Sequence, residues 1–248
     1  MNSHMRLVAL LLAVLPAAAE TVVLRNFTLI DGTGRAPVAA AAMVITDGRI
    51  RYAGPAAKAT VPQGATTMDL TGKYVMPGII NLHGHLGNVK GLVQDPKNYT
   101  PENLDANLKT YASYGVTTVV SMGSDQDVIL QSRAEQRATG RPKTARIYTA
   151  YRGFTGTAGY PTSAPGMKGV PFEVSAREEV KKDVAILADK KVDLVKIWVD
   201  DHFGKERKIP FDLSAAIIEE AHRNNLKVGA HISTTTTRRT WWSADSMR

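Results

Sequence analysis

Residues 20–74 carry their apolar positions in short runs rich in β-branched side chains, separated by turn sequences. Residues 21–30 predict a strand that ends in Asp31-Gly32-Thr33-Gly34. Residues 42–46 and 49–54 predict two more, flanking Asp47-Gly48, a dipeptide that favours a type I′ hairpin turn. A fourth short strand is expected at residues 66–70. These small antiparallel strands read as the N-terminal part of a β-sandwich. Beyond His85 the period changes. Strand-like apolar runs at residues 116–121, 145–150, 194–199 and 227–232 alternate with amphipathic helices at about 101–114, 125–139, 175–190 and 212–224. Thr100-Pro101-Glu102 offers an N-cap with Pro at the first helical position, and Ser175-Ala176-Arg177-Glu178 fits a capping box. Gly115 and Gly140 sit where C-caps belong. With the strand before His83, this makes five β-strands joined by helices. Such alternation predicts an α/β fold with a parallel sheet of βα units, most simply a (β/α) barrel over residues 75–232.

Composition narrows the reading. The 248 residues are 44% hydrophobic, enough for a substantial core, and the absence of cysteine excludes disulfides and thiolate metal sites. The formal charge is +8, of which Arg6 and residues 233–248 carry +3, leaving +5 over the rest. The remaining cations are scattered or paired, as in Lys181-Lys182 and Lys190-Lys191. Without long basic runs or interleaved aromatics they argue against nucleic acid as a partner. At the N-terminus, residues 1–5 read as a vector remnant, so His4 is not counted as a ligand. Arg6, the apolar run 7–15, Pro16 and Ala17-Ala18-Ala19 describe a secretory signal peptide cleaved before Glu20, which places the mature chain in the periplasm or outside the cell. No other run is long enough to span a bilayer.

The chemistry centres on Val75-Met76-Pro77-Gly78-Ile79-Ile80-Asn81-Leu82-His83-Gly84-His85. In an extended strand alternate side chains share a face, so His83 and His85 can converge on one metal ion if the strand continues through them. Neutral imidazole suits zinc and its neighbours, and a catalytic zinc usually has three protein ligands and an open position. In a barrel, active sites lie at the C-terminal strand ends, where His83 and His85 are placed. Lys196 interrupts the apolar run of residues 192–199, and His231 closes that of residues 228–232. For Lys196 a surface position at the strand end is the alternative, because a buried lysine is costly unless it finds a partner or loses its charge. For His231 the alternative is a satisfied polar side chain. Gly153, Gly156 and Gly159 lack the spacing of a dinucleotide or P-loop fingerprint, and read instead as a mobile substrate loop on the same face. His202 falls in a loop near the site and His222 on a helix; neither enters the ligand set.

The run from Val75 to His85, the Asp47-Gly48-Arg49-Ile50 hairpin, Tyr114-Gly115-Val116-Thr117-Thr118 and the strands bearing Lys196 and His231 together resemble the metal-dependent amidohydrolase superfamily, nearest to its imidazolonepropionase and prolidase-like members. The resemblance covers about residues 21–232. It implies a distorted (β/α)₈ barrel with a small β-sandwich. It also implies one or two divalent ions, zinc in the first place: His83 and His85 on one, His231 on a second, and a carboxylated Lys196 bridging them. A metal-activated hydroxide would then attack the carbonyl of a small amide, cyclic amide or dipeptide.

The family pattern also asks for a histidine on the sixth strand and an aspartate on the eighth, and neither is in this sequence. Residues 233–248 show no helical or strand pattern and hold two of the three tryptophans. A shifted reading frame of suitable codons yields an amphipathic helix with a glycine stop, so this tail is expected to be a frameshift product, which sequencing the DNA would test. The expectation is therefore an incomplete barrel of about five βα units, weakly active at most and inclined to associate through open sheet edges or as a homo-oligomer. The competing reading is a non-catalytic fragment or structural module that retains a metal site. A sugar- or nucleotide-binding protein has no supporting motif.

Overall fold

The structure, a computed structural model, describes residues 20–140 and 142–233. The expected vector remnant and signal peptide (residues 1–19) and the tail beyond Ser233 lie outside the described residues. The chain divides between Pro77 and Gly78 into two compact units. Among the described residues no helix is long and apolar enough to cross a membrane.

In the first unit, β1 (Thr21–Leu29), β2 (Val38–Thr46), β3 (Arg49–Pro55), β4 (Thr66–Asp69) and β5 (Tyr74–Val75) form one sheet in the order β3-β2-β1-β4, with β5 also paired to β1. The β2–β3 hairpin turns through Asp47 and Gly48 at φ 52° and 71°, the positive values that a type I′ turn requires. The strands are not all antiparallel as expected: β4 and β5 run parallel to β1. β3, antiparallel to β2, already runs in β1's direction, and a crossover from that edge to the far edge brings β4 in beside β1 running the same way. Phe27, Leu29, Ala41 and Met43 make its buried cluster, with Leu70 and Val75 packed on it. Among the described residues this is the one sheet of the first unit.

The apolar run before His83 is split between the units. Tyr74 and Val75 pair with β1, Pro77-Gly78 breaks the strand, and β6 (Ile79–Gly84) starts afresh. Gly78 is needed there, since a Cβ would lie 2.2 Å from Thr117 Oγ1. The second unit continues with the hairpin β7 (Val89–Lys90) and β8 (Val93–Gln94), then α1 (Pro101–Ser113), β9 (Val116–Ser121), α2 (Asp127–Thr139), β10 (Arg146–Thr149), β11 (Phe154–Gly156), β12 (Phe172–Val174), α3 (Arg177–Asp189), β13 (Val195–Trp198), α4 (Phe211–Arg223) and β14 (Val228–His231). Its larger sheets run β10-β9-β6 and β12-β11-β13-β14, and every neighbouring pair in them is parallel. This is the expected βα alternation. The short strands β11 and β12 are additions that three residues are too few to signal by periodicity.

Local signals set the helix ends. The Thr100 hydroxyl accepts from Asn103 N, and Gly115 and Gly140 take left-handed φ of 78° and 65° after α1 and α2. The box before α3 is shifted by one residue: Glu179, not Glu178, accepts from Ser175 N and Ala176 N, because the helix begins at Arg177.

The core of this unit gathers Leu86, Leu104, Val119, Ile129, Phe154, Val184, Ile197 and Ile217. β13 is buried at all four positions, the signature of a parallel strand covered on both faces. Its start is pinned by Asp193, whose carboxylate accepts from Arg133 Nη1 at 2.8 Å, Thr149 N at 2.9 Å and Arg137 Nη2 at 2.5 Å. Arg133 is itself buried and also donates to Lys190 O. The register of the strand that carries Lys196 thus depends on an ion pair at its foot.

Candidate functional site

Parallel strands send all their C-terminal ends to one side, and that side holds the predicted residues. β6 does not continue evenly through its histidines. Its pairing with β9 slips between Asn81 and Gly84, where three steps on β6 match two on β9. Asn81 Oδ1 accepts from His83 N within this bulge. Both rings nevertheless open into one cavity of about 470 Å³, with centroids 5.5 Å apart. His85 Nδ1 is 2.9 Å from Ser124 Oγ, in the loop after β9, a contact that fixes the ring and leaves its Nε2 toward other partners.

Lys196 is fully buried, and Nζ lies 3.4 Å from His83 Nε2. Among the described residues no carboxylate pairs with it, and burial alone lowers its pKa to about 8. Desolvation, reinforced by His83, Lys196 and His231, holds the His85 imidazole down to about 4. Desolvation, then Lys196 and His231, lowers His83 as well. The two imidazoles are thus neutral at neutral pH, the protonation state that binds metal.

Glycines let the backbone close on this lysine. A Cβ at Gly153 would lie 2.4 Å from Trp198 Cζ3 and 2.9 Å from Lys196 Cγ, and one at Gly123 (φ 94°) 2.8 Å from Lys196 Cγ. This corrects the reading of the glycine run as a mobile substrate loop. Residues 154–156 form β11, buried throughout, and Gly159 is buried too, because Phe154 pairs with Ile197 beside the lysine. Gly153, Gly156 and Gly159 do not line the cavity; Tyr160, Pro161, Ala164 and Met167 just after them do. Gly153→Ala is expected to displace Lys196, weaken zinc binding and cost about 1–3 kcal/mol of stability. A zinc titration beside a thermal melt checks this; wild-type zinc affinity in the variant would show that Gly153 does not set the lysine's position.

His231, at the end of β14, lines the same cavity, but its Nε2 is engaged by Asp200 Oδ2 at 2.8 Å. Burial raises the Asp200 pKa, but hydrogen bonds from Ser233, His202 N and His231 outweigh it and hold the carboxyl below its ordinary value. His231 thus faces the same cavity as His83 and His85, with its Nε2 occupied by Asp200 in this arrangement. Among the described residues no three histidine, aspartate or glutamate side chains are gathered closely enough to hold a metal ion unaided. A fitting set needs Lys196 as well: two neutral imidazoles and an amine that becomes an anionic oxygen donor once carboxylated.

Residues outside the predicted set complete the site. Asp200 orients His231, and Ser124 orients His85. Beneath them Asp125 is buried, accepting from Ser121 Oγ, Tyr99 OH and Thr149 Oγ1; desolvation overrides these bonds and raises its pKa to about 6. Each lies within four residues of a strand end, the one signal that could have found them. Their roles depend on partners 24 to 39 residues away, which no local pattern shows.

The amidohydrolase family model matches residues 74–245. A 5-methylthioadenosine/S-adenosylhomocysteine deaminase of Symbiobacterium thermophilum is 42% identical over 67 residues, 27% of this chain and 15% of its own. An imidazolonepropionase of Acidiphilium cryptum is 26% identical over 156 residues, covering 50% of this chain and 39% of its own. Among solved structures, a Bifidobacterium longum protein described as a prolidase superposes with a TM-score of 0.71 and 26% identity, over 89% of this chain and 51% of its own. The chain thus spans about half the length of that structure, and less of the two curated relatives.

Proposed function

The chain belongs to the amidohydrolase family, and on that premise we propose that it is a metal-dependent hydrolase of C–N bonds, acting on a small amide, cyclic amide or dipeptide. The observation that carries this reading is Lys196. A fully buried lysine with no carboxylate partner among the described residues is costly, and its site beside two neutral imidazoles offers it a use. With a pKa near 8 a sizeable fraction of the amine is neutral at physiological pH, the form that can take up carbon dioxide and become an anionic oxygen ligand. His83, His85 and carboxylated Lys196 would then hold a divalent ion, with His231 joining if Asp200 releases it. Such an ion supplies an acidified water and a Lewis acid for the carbonyl. The chain's own residues do the rest: Ser124 fixes the His85 ring, Asp200 fixes His231, and Trp198 and Met167 give the cavity an apolar wall.

The test is metal loading. A chain stripped with a chelator should regain about one equivalent of zinc, faster at pH 8.5 than at pH 6.5 and faster with bicarbonate. The sign follows from Lys196: raising the pH toward and past 8 increases its neutral fraction, while His85, with a pKa near 4, is neutral throughout. Zinc uptake indifferent to bicarbonate and pH would sink the role of Lys196.

Binding without turnover is the second reading, and one feature favours it. Among the described residues that line the cavity there is no aspartate or glutamate to shuttle a proton. Amide hydrolysis at ordinary enzyme rates, on the order of 1–10³ per second, would reject it.

A further inference from the structure

Asp125 is 1% exposed, and among the described residues no cation pairs with it. Three hydroxyls from three segments aim at its carboxylate: Ser121 Oγ donates to Oδ1 at 2.6 Å, Tyr99 OH to Oδ1 at 2.9 Å, and Thr149 Oγ1 to Oδ2. A carboxylate only accepts, so it takes all three; an amide has one oxygen and turns a donor toward the rest. Two of these hydroxyls in turn hold a backbone N–H. Ser121 Oγ accepts from Leu86 N at 3.3 Å, and Thr149 Oγ1 from Tyr151 N at 2.7 Å. Tyr151 stands at φ 56°, a left-handed backbone that a bulky residue adopts only where its surroundings fix it, and its carbonyl accepts from Asp125 N at 2.9 Å.

These bonds tie together the turns after β9 and β10, and both turns reach the candidate metal ligands. Around His85, Gly84 O accepts from Met122 N at 2.9 Å, Leu86 N is held by Ser121, and the ring meets Ser124. Against Lys196 lie Gly123 and Gly153, joined to each other by Gly153 N donating to Gly123 O at 2.9 Å. A neutral side chain would be cheaper to bury, since desolvation outweighs the three bonds and raises the Asp125 pKa to about 6. A charge kept in the core against that cost points to a use outside folding.

We propose that Asp125 is the positioning residue of the metal site: by locking the turns 121–125 and 149–153 to each other it sets the His85 ring, through Ser124, and the Lys196 stem, through Gly123 and Gly153. This rests on the metal-dependent reading of the same cavity and adds to it a residue that touches neither metal nor substrate.

The experiment compares the parent with Asp125→Asn, Ser124→Ala and the double variant, each stripped with a chelator. Imidazole 15N spectra at pH 7 read the ring first. In the parent His85 should show a single tautomer, and in Asp125→Asn a mixture of the two, while His222 on α4 is unchanged. Zinc titration of the same samples should give a loss of roughly 10–100-fold in Asp125→Asn. The double variant should bind zinc no more weakly than Asp125→Asn alone, because Ser124 has lost its position once Asp125 no longer holds the turn. Parent-like zinc affinity in Asp125→Asn, whatever its melting temperature, would make Asp125 a structural residue and overturn the proposal. Losses that add in the double variant, or an unchanged His85 spectrum, would overturn it too. Should Asp125→Asn not fold, Tyr99→Phe carries the same test, since it removes one of the three donors at nearly the same shape: a His85 spectrum and zinc affinity equal to the parent's would reject the proposal. The spectra need no metal. A parent that takes up no zinc therefore refutes the metal-dependent hydrolase, while the His85 tautomer still decides whether Asp125 positions that ring.

Discussion

Lys196→Met should abolish tight zinc binding and yet make the metal-free chain more stable. Methionine keeps the length and apolar stem that pack against Trp198 and Gly153, and it removes the amine that carboxylation would turn into an anionic oxygen ligand. The loss of zinc affinity should exceed the roughly 10–100-fold typical of an outer-shell partner, and hydrolysis should fall to background. The gain in stability comes from the cost of burying the ammonium. Its pKa falls from 10.5 to about 8, which corresponds to roughly 3 kcal/mol at neutral pH. The pH dependence has a definite sign. Between pH 8 and 10.5 the unfolded chain keeps this proton and the folded chain does not, so the unfolded state binds more protons and stability rises with pH across that window. Below pH 8 the penalty is present in full. Chemical denaturation in chelator, run from pH 7 to 10.5, should show this rise in the parent relative to Lys196→Met. Parallel stability curves for the two chains would mean that Lys196 is not charged and desolvated as described.

Asp193→Ala should destabilise the fold more than Gly153→Ala does, by about 3–5 kcal/mol, the usual cost of leaving a buried charge without its partner. Arg133 would keep only the Lys190 carbonyl, and Thr149 N would lose its acceptor at the foot of β13. For a chain of this size that is a fall of roughly 6–20 °C in melting temperature. Adding Arg133→Met should recover part of the loss, because the second substitution removes the stranded guanidinium. Recovery is the informative arm: if the double variant is as unstable as the sum of the singles, the ion pair is not what holds the strand. Lys196 lies three residues beyond Asp193, so zinc affinity in Asp193→Ala reports whether the strand's register survives.

How much of this was legible differs from element to element. The βα alternation was, because parallel strands covered on both faces read as continuous apolar runs and the helices between them carry a 3.6-residue period. The caps at Thr100, Gly115 and Gly140 were legible for the same local reason. The direction of β4 was not: whether a short strand pairs parallel or antiparallel depends on the path of its connection, and the side-chain pattern is the same in both cases. The glycine run 153–159 misled because glycine signals both an open loop and close packing, and only the approach of Trp198 and Lys196 to Gly153 separates the two.

By itself the sequence determined the α/β class, the family, and which strand ends carry His83, His85, Lys196 and His231, since each of these rests on residue type and spacing along the chain. Tertiary structure alone decided what those residues meet. That His231 is held by Asp200 and that Lys196 is buried beside His83 with no carboxylate partner among the described residues are relations between strands and loops distant in the chain. The difference is physical: periodicity records which face a residue takes relative to its neighbours, whereas protonation state and hydrogen-bond satisfaction depend on atoms brought near only when the sheet assembles.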